Sequence, residues 1–342
     1  MSEQARAAPV WEQLGEVEEY HELCRARLDH LVAVREPLVL VSQIQRAGGS
    51  LLGQLLDGHP ECHAHPHELK IGHPREHNWP PLDLARPDTW FDVLFEKRSL
   101  KHFVGGYHKS AKRRHPYDTF PFLFLSRLQK EIFDARIAEQ RPATEREVLD
   151  AYFTSYFNAW LDNHNLYTGP KKVVTGFTPR LAMEEGNLEH LFAAYPDGTL
   201  ISIVRDPRAW YLSASTYAPE HYADVDTAVV LWRQSTEAAL AAAERYGDRV
   251  LVLTYEGLLA EPEATMRRVA GRIGIAWSDL LLEPTFNGRP IRANSSDAVA
   301  GYGILAERSS AFRDSLDPAV AERIEVLAGP LYEQAAAVAG RS

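Results

Sequence analysis

Residues 38–60, LVLVSQIQRAGGSLLGQLLDGHP, constrain the fold more than any other stretch of the chain. Leu38-Val39-Leu40-Val41 is a continuous apolar run, the pattern of a strand buried on both faces. Arg46-Ala47-Gly48-Gly49-Ser50 follows, and then Leu51, Leu52, Leu55 and Leu56 recur at helical spacing before Gly58 and Pro60. Strand, glycine turn and helix start together make an anion cradle. The free N–H groups of a first helical turn point at the ligand, the helix dipole favours negative charge, and glycine lets the backbone approach closely. Arg46 adds a fixed cation and Ser50 a hydroxyl donor. An ordinary strand-turn-helix corner would share this pattern, and there is no GK[ST], so a Walker A loop is excluded.

Composition narrows the class. The 342 residues are 45% hydrophobic and 25% charged, which fits a globular chain with an ample core. A net charge of −10 argues against nucleic acid as a partner. Two cysteines, Cys24 and Cys62, make no disulfide framework and favour a reducing compartment. The polar, acidic first residues lack a signal segment, and no apolar run approaches a membrane span, so the expected location is cytoplasmic.

The rest of the chain alternates strand and helix signals. An amphipathic helix is expected within 11–33, and after Pro60 the His-rich segment reads as loop with short helices. Seven Lys/Arg and no acid lie between Lys97 and Pro116. They are a solvated face or a device that steers an anionic ligand. Thr144 and Glu147 form a capping box before a helix whose aromatic face (Tyr152, Phe153, Tyr156, Phe157, Trp160) belongs to the core. Strands are expected at Val173-Val174, Leu200–Val204 and Val250–Leu253, with helices at 188–195, 227–246 and 263–273 and a last one from Asp317-Pro318. This rhythm predicts an α/β fold, a P-loop-like parallel sheet flanked by helices, with a mostly helical insert. Ligands then belong at the carboxyl ends of the strands. After the 200–204 strand the chain reads Arg205-Asp206-Pro207, with Ser213 eight residues beyond Arg205. Arg205 suits phosphate, although the same triplet is also a common salt-bridged helix cap.

These two stretches together resemble the sulfotransferase family that uses 3′-phosphoadenosine 5′-phosphosulfate (PAPS), in its bacterial, tyrosylprotein and carbohydrate branches. Arg46-Ala47-Gly48-Gly49-Ser50-Leu51 resembles the family's 5′-phosphosulfate loop, and Arg205 to Ser213 its 3′-phosphate motif. Val250 to Leu258, with Tyr255, resembles the later strand and its Tyr-Glu end. Arg292 to Ser296, with Asn294 and Ser295, followed by 312–316, is similar to its nucleotide-closing segment. The family's paired hydroxyls are reduced here to Gly49-Ser50. One domain, 1–342, is implied: 38–68 as loop and base segment, 69–170 as a substrate-recognition insert, and 171–342 as the 3′-phosphate half.

The resemblance implies transfer of a sulfonate group from PAPS to an acceptor hydroxyl, leaving adenosine 3′,5′-bisphosphate, with no metal. Arg46 would neutralise charge on the leaving phosphate. Glu68 is the expected base and His67 the alternative, both placed seven or eight residues after the His-Pro pair. His59, His63, His65, His67, His73 and His77 also allow a zinc reading, set aside because no spaced Cys set or HExxH accompanies them. The acceptor stays open among small molecules, glycans and lipid-linked sugars, and a homodimer is left open. The competing readings are a non-catalytic nucleotide-binding relative and, further off, a divergent P-loop kinase.

Overall fold

The computed structural model describes residues 18–73, 78–107, 119–292, 302–304 and 315–341. Five parallel strands form the central sheet: β1 (Leu38–Ser42), β2 (Cys62–Glu68), β3 (Val173–Phe177), β4 (Thr199–Val204) and β5 (Val250–Thr254). Helix α1 (Glu18–Asp29) precedes the sheet and α2 (Gly49–Asp57) follows β1. The segment between β2 and β3 carries α3 (Pro87–Leu94), α4 (Lys97–Gly105), α5 (Ser126–Gln140) and α6 (Glu145–Ala159). Helix α7 (Glu185–Ala194) precedes β4, and α8 (Pro207–Tyr217) and α9 (Val225–Tyr246) precede β5. After β5 come α10 (Tyr255–Ala260), α11 (Pro262–Ile273), a small antiparallel pair β6 (Thr285–Phe286) and β7 (Arg289–Pro290), and α12 (Pro318–Arg341). Among the described residues no helix is long and apolar enough to cross a membrane.

Strand alternation sorts the apolar residues into two cores. Leu38 and Leu40 join one layer with Val174, Leu200, Val250 and Val252, against the aromatic face of α6. Val39 and Val41 join the other with Ile201, Ile203, Leu251 and Leu253, against α2 and α11. This is why the strands read as continuous apolar runs: helices cover both faces of the sheet. Tyr152, Phe153, Tyr156, Phe157 and Trp160 are all fully buried. The capping box is present, with Glu147 N donating to Thr144 Oγ1 at 3.3 Å and Thr144 N to Glu147 Oε2 at 3.1 Å.

The strand order is β2-β3-β1-β4-β5. From β1 the chain moves outward to β2 and returns to β3, then crosses to β4 on the other side of β1. The connections leaving β1 and β4 therefore diverge, and the crevice between their carboxyl ends is the topological switch point where ligands bind in such sheets. Arg46 and Arg205 leave these two strands at that point.

One sequence expectation fails. The His-rich segment is a strand, β2, and its histidines are not at the surface: His63, His65 and His67 are buried. Polar side chains at alternate positions hid the period of two. Pro66 is tolerated because β2 is an edge strand, paired only with β3. Between the Ala64↔Thr175 and Glu68↔Phe177 pairs the register shifts, so β2 bulges around Pro66 and delivers Glu68 to the strand end.

Candidate functional site

The loop after β1 is held open by its own backbone and by neighbouring side chains. Arg46 and Gly48 both adopt positive φ, 72° and 110°. A Cβ on Gly48 would stand 2.4 Å from Tyr255 Cδ2, and one on Gly49 would stand 2.2 Å from the Gln43 side chain. Glycine is therefore required here by close approach as well as by conformation. Gly48 is the N-cap of α2, and no side chain caps that helix. Leu51 N already donates to the Gly48 carbonyl at 2.9 Å, so the first turn offers an anion the N–H groups of Gly49 and Ser50 together with the helix dipole.

Arg46 projects toward α8. Its Nε donates to Ser213 Oγ at 3.2 Å, and its guanidinium lies 4.9 Å from the centre of the Tyr217 ring. Arg205 Nη1 donates to the Arg46 carbonyl oxygen at 3.0 Å, while its guanidinium lies 4.7 Å from the Tyr255 ring. Helix α8 runs back beside the loop, so Ser213, two turns along it, is joined to Arg205 through Arg46. Two stretches separated by 159 positions become one basic site. Asp206 caps α8 through Arg208 N at 2.9 Å and also pairs with Arg208 at 2.7 Å, so the triplet is a salt-bridged cap.

Several supporting residues carried no sequence signal. Gln45 Oε1 accepts from Arg180 Nε at 2.7 Å, Gln45 Nε2 bonds the Tyr222 hydroxyl, and Trp210 Nε1 donates to Gln45 O at 2.9 Å. Ile44 N donates to Ser235 Oγ at 3.0 Å. These partners come from the turn after β3 (Arg180), from α8 (Trp210), from the α8–α9 connection (Tyr222) and from α9 (Ser235), so only the folded chain defines them. Arg180 alone could have been suspected, since it follows the carboxyl end of a strand. Glu256 accepts from Asp206 N at 3.1 Å and from the Tyr332 hydroxyl at 2.7 Å, and burial raises its carboxyl above the usual range.

Glu68 ends β2 at the same edge of the sheet. Its side chain is 35% exposed, accepts from Arg98 Nη1 at 2.8 Å and lies 3.8 Å from His73 Nε2. His67 is inside: its Nε2 lies 3.1 Å from Ser99 Oγ and 3.2 Å from the Tyr156 hydroxyl. Burial, and then the neighbouring His65, hold its imidazole well below its ordinary pKa. Asn294 and Ser295 lie outside the described residues, as do His77 and the basic run beyond Tyr107. Lys97, Arg98 and Lys101, the start of that run, lie on α4.

A glycine loop after the central strand, facing a basic turn after its neighbour, defines a phosphate-binding α/β domain. Residues 37–279 match the model of the sulfotransferase family, and the chain belongs to that family. It is a sulfotransferase. Among solved structures, the chain is similar to the sulfotransferase domain of the Synechococcus PCC 7002 olefin synthase, at 18% identity and a TM-score of 0.46, over 87% of this chain and 96% of that one. The sulfotransferase of Alicyclobacillus acidocaldarius is similar at 15% identity and a TM-score of 0.44, over 90% and 98%.

Proposed function

We propose that the chain transfers a sulfonate group from PAPS to the hydroxyl of a small-molecule, glycan or lipid-linked acceptor. The observation that carries this reading is the joined pair of anion positions: the uncapped start of α2 with Arg46, and Arg205 with Ser213. A nucleotide carrying phosphates at both its 5′ and 3′ positions needs two such positions, whereas a kinase pocket would need only one. The residues fit that group: the two glycines clear the space that side chains would fill, and both guanidiniums are positioned by fixed partners.

When bound, PAPS supplies the sulfonate and a phosphate leaving group. Arg46 and the N–H groups of Gly48, Gly49 and Ser50 offset the charge on that phosphate, a role worth about 3 to 4 kcal/mol per preorganised donor. Arg205 and Ser213 select the 3′-phosphate, and Tyr255 supports both the loop and Arg205. Glu68 takes the acceptor proton. Its half-exposed place at the strand end favours this role over His67, which is enclosed among Ser99, Tyr156 and Glu96. The insert 69–170, whose first described helix starts at Pro87 and whose second carries the Arg98 that pairs with Glu68, carries acceptor recognition. The test is an acceptor screen with isotopically labelled PAPS, read as the mass gain of one sulfonate. Failure of every hydroxyl acceptor to gain label while adenosine 3′,5′-bisphosphate still binds would favour a non-catalytic nucleotide-binding protein.

A further inference from the structure

Strand β2 aims two of its histidines at one carboxylate. His65 Nε2 lies 3.2 Å and His67 Nδ1 3.4 Å from the same atom, Glu96 Oε2, and the three groups can offer ligand atoms all within 4.8 Å of one another. The His65 and Glu96 side chains are 0% and 3% exposed, and neither His65 Nε2 nor Glu96 Oε2 has a hydrogen-bond partner. The tautomer of His65 sharpens the conflict. Its Nδ1 lies 2.9 Å from the His67 carbonyl oxygen, which can only accept, so Nδ1 carries the proton and Nε2 faces the carboxylate with a lone pair. Two electron-rich atoms at that distance, away from water, need a positive centre between them.

A proton would have to lie along the Nε2 lone pair, and the carboxylate oxygen makes no hydrogen bond there despite its distance. A metal ion asks for a different geometry. Two ligands about 2.05 Å from a tetrahedral ion stand about 3.3 Å apart, the line between them about 35° off each lone-pair axis. Both nitrogen–oxygen separations agree with this. The outer partners are also in place: Lys70 N donates to Glu96 Oε1 at 2.9 Å, and Ser99 Oγ and the Tyr156 hydroxyl stand ready to hold a proton on His67 Nε2. His67 Nδ1 also lies 3.0 Å from the Glu68 carbonyl oxygen, where the ring holds its proton when no metal is bound.

We propose that His65, His67 and Glu96 bind a zinc-type divalent ion as three of its ligands, and that the ion staples the end of β2 to the start of α4. The full chain, purified without a tag, should carry about one zinc per chain by elemental analysis and, after chelation, take up Co²⁺ with the visible band of a tetrahedral site. His65→Gln and Glu96→Gln should each weaken zinc binding at least about tenfold in a chelator competition, while His221→Ala, an exposed residue outside the cluster, should not. Retention of wild-type affinity by both cluster variants would overturn the proposal. So would a wild-type chain that holds no zinc and gains no thermal stability from it; this result needs no variant to fold, and it would leave the pair bridged by a proton.

Discussion

The sharpest test of the site is whether it prefers a 3′-phosphate, and Arg205 is the residue to change. Arg205 is fixed from two sides, by its 3.0 Å bond to the Arg46 carbonyl and by the Tyr255 ring 4.7 Å away, so little ordering remains for the ligand to impose. A charge-assisted hydrogen bond to phosphate contributes about 1.5 to 3 kcal/mol. At about 1.4 kcal/mol per tenfold, adenosine 3′,5′-bisphosphate should bind about 10 to 100 times more tightly than adenosine 5′-monophosphate. Arg205→Ala should erase most of that gap while leaving monophosphate binding nearly intact. Because the substitution also removes the bond to Arg46, Arg205→Lys is the necessary companion: it keeps the charge, loses the fork and should restore part of the gap. Calorimetry reads the affinities. Thermal shift gives an independent check, since a ligand at 100 times its Kd adds about 2.7 kcal/mol, a rise of about 4 °C for a chain of this length. If the gap survives Arg205→Ala, the 3′-phosphate lies elsewhere. If ATP with magnesium stabilises the chain more than the bisphosphate does, the two-phosphate pocket is refuted and a kinase-type pocket takes its place.

Three further outcomes are expected. Glu68→Gln keeps the shape but removes the proposed base, so turnover of a hydroxyl acceptor should fall about 10² to 10⁴-fold with bisphosphate affinity unchanged; steady-state kinetics at near-normal rates would remove Glu68 from the chemistry. Gly48→Ala should abolish nucleotide binding and lower Tm, because its Cβ meets Tyr255 at 2.4 Å from a backbone at φ 110°. The double substitution with Tyr255→Ala should recover Tm only in part, since the strained φ remains. Burial raises the Asp150 carboxyl to about 6 despite its bond from the Tyr195 hydroxyl. The native state therefore binds the extra proton, and this contribution to stability is full below the ordinary carboxylate pKa and lost as pH rises through about 6. Asp150→Asn should gain Tm relative to wild type between about pH 4 and pH 8, and a constant difference would show that the carboxyl titrates normally.

Local patterns carried the architecture. The doubly covered strands, the α6 core stripe with its capping box and the two anion turns were each legible because their signal is contained within a few neighbouring residues. Apolar period, cap chemistry and glycine spacing need no distant partner. β2 was not legible, because its alternation runs between small residues and histidines, and histidine is polar in sequence but can be buried against Glu96, Ser99 and Tyr156 in the fold. Sequence alone thus determined that this chain has a parallel sheet with a basic turn after each of two strands. Tertiary structure decided that the turns meet, since the order β2-β3-β1-β4-β5 puts β4 beside β1 and lets Arg205 bond the Arg46 carbonyl. It also decided what holds the loop, through Gln45, Arg180 and Tyr222, whose bonds cross the chain over more than a hundred positions and leave no trace in any local window.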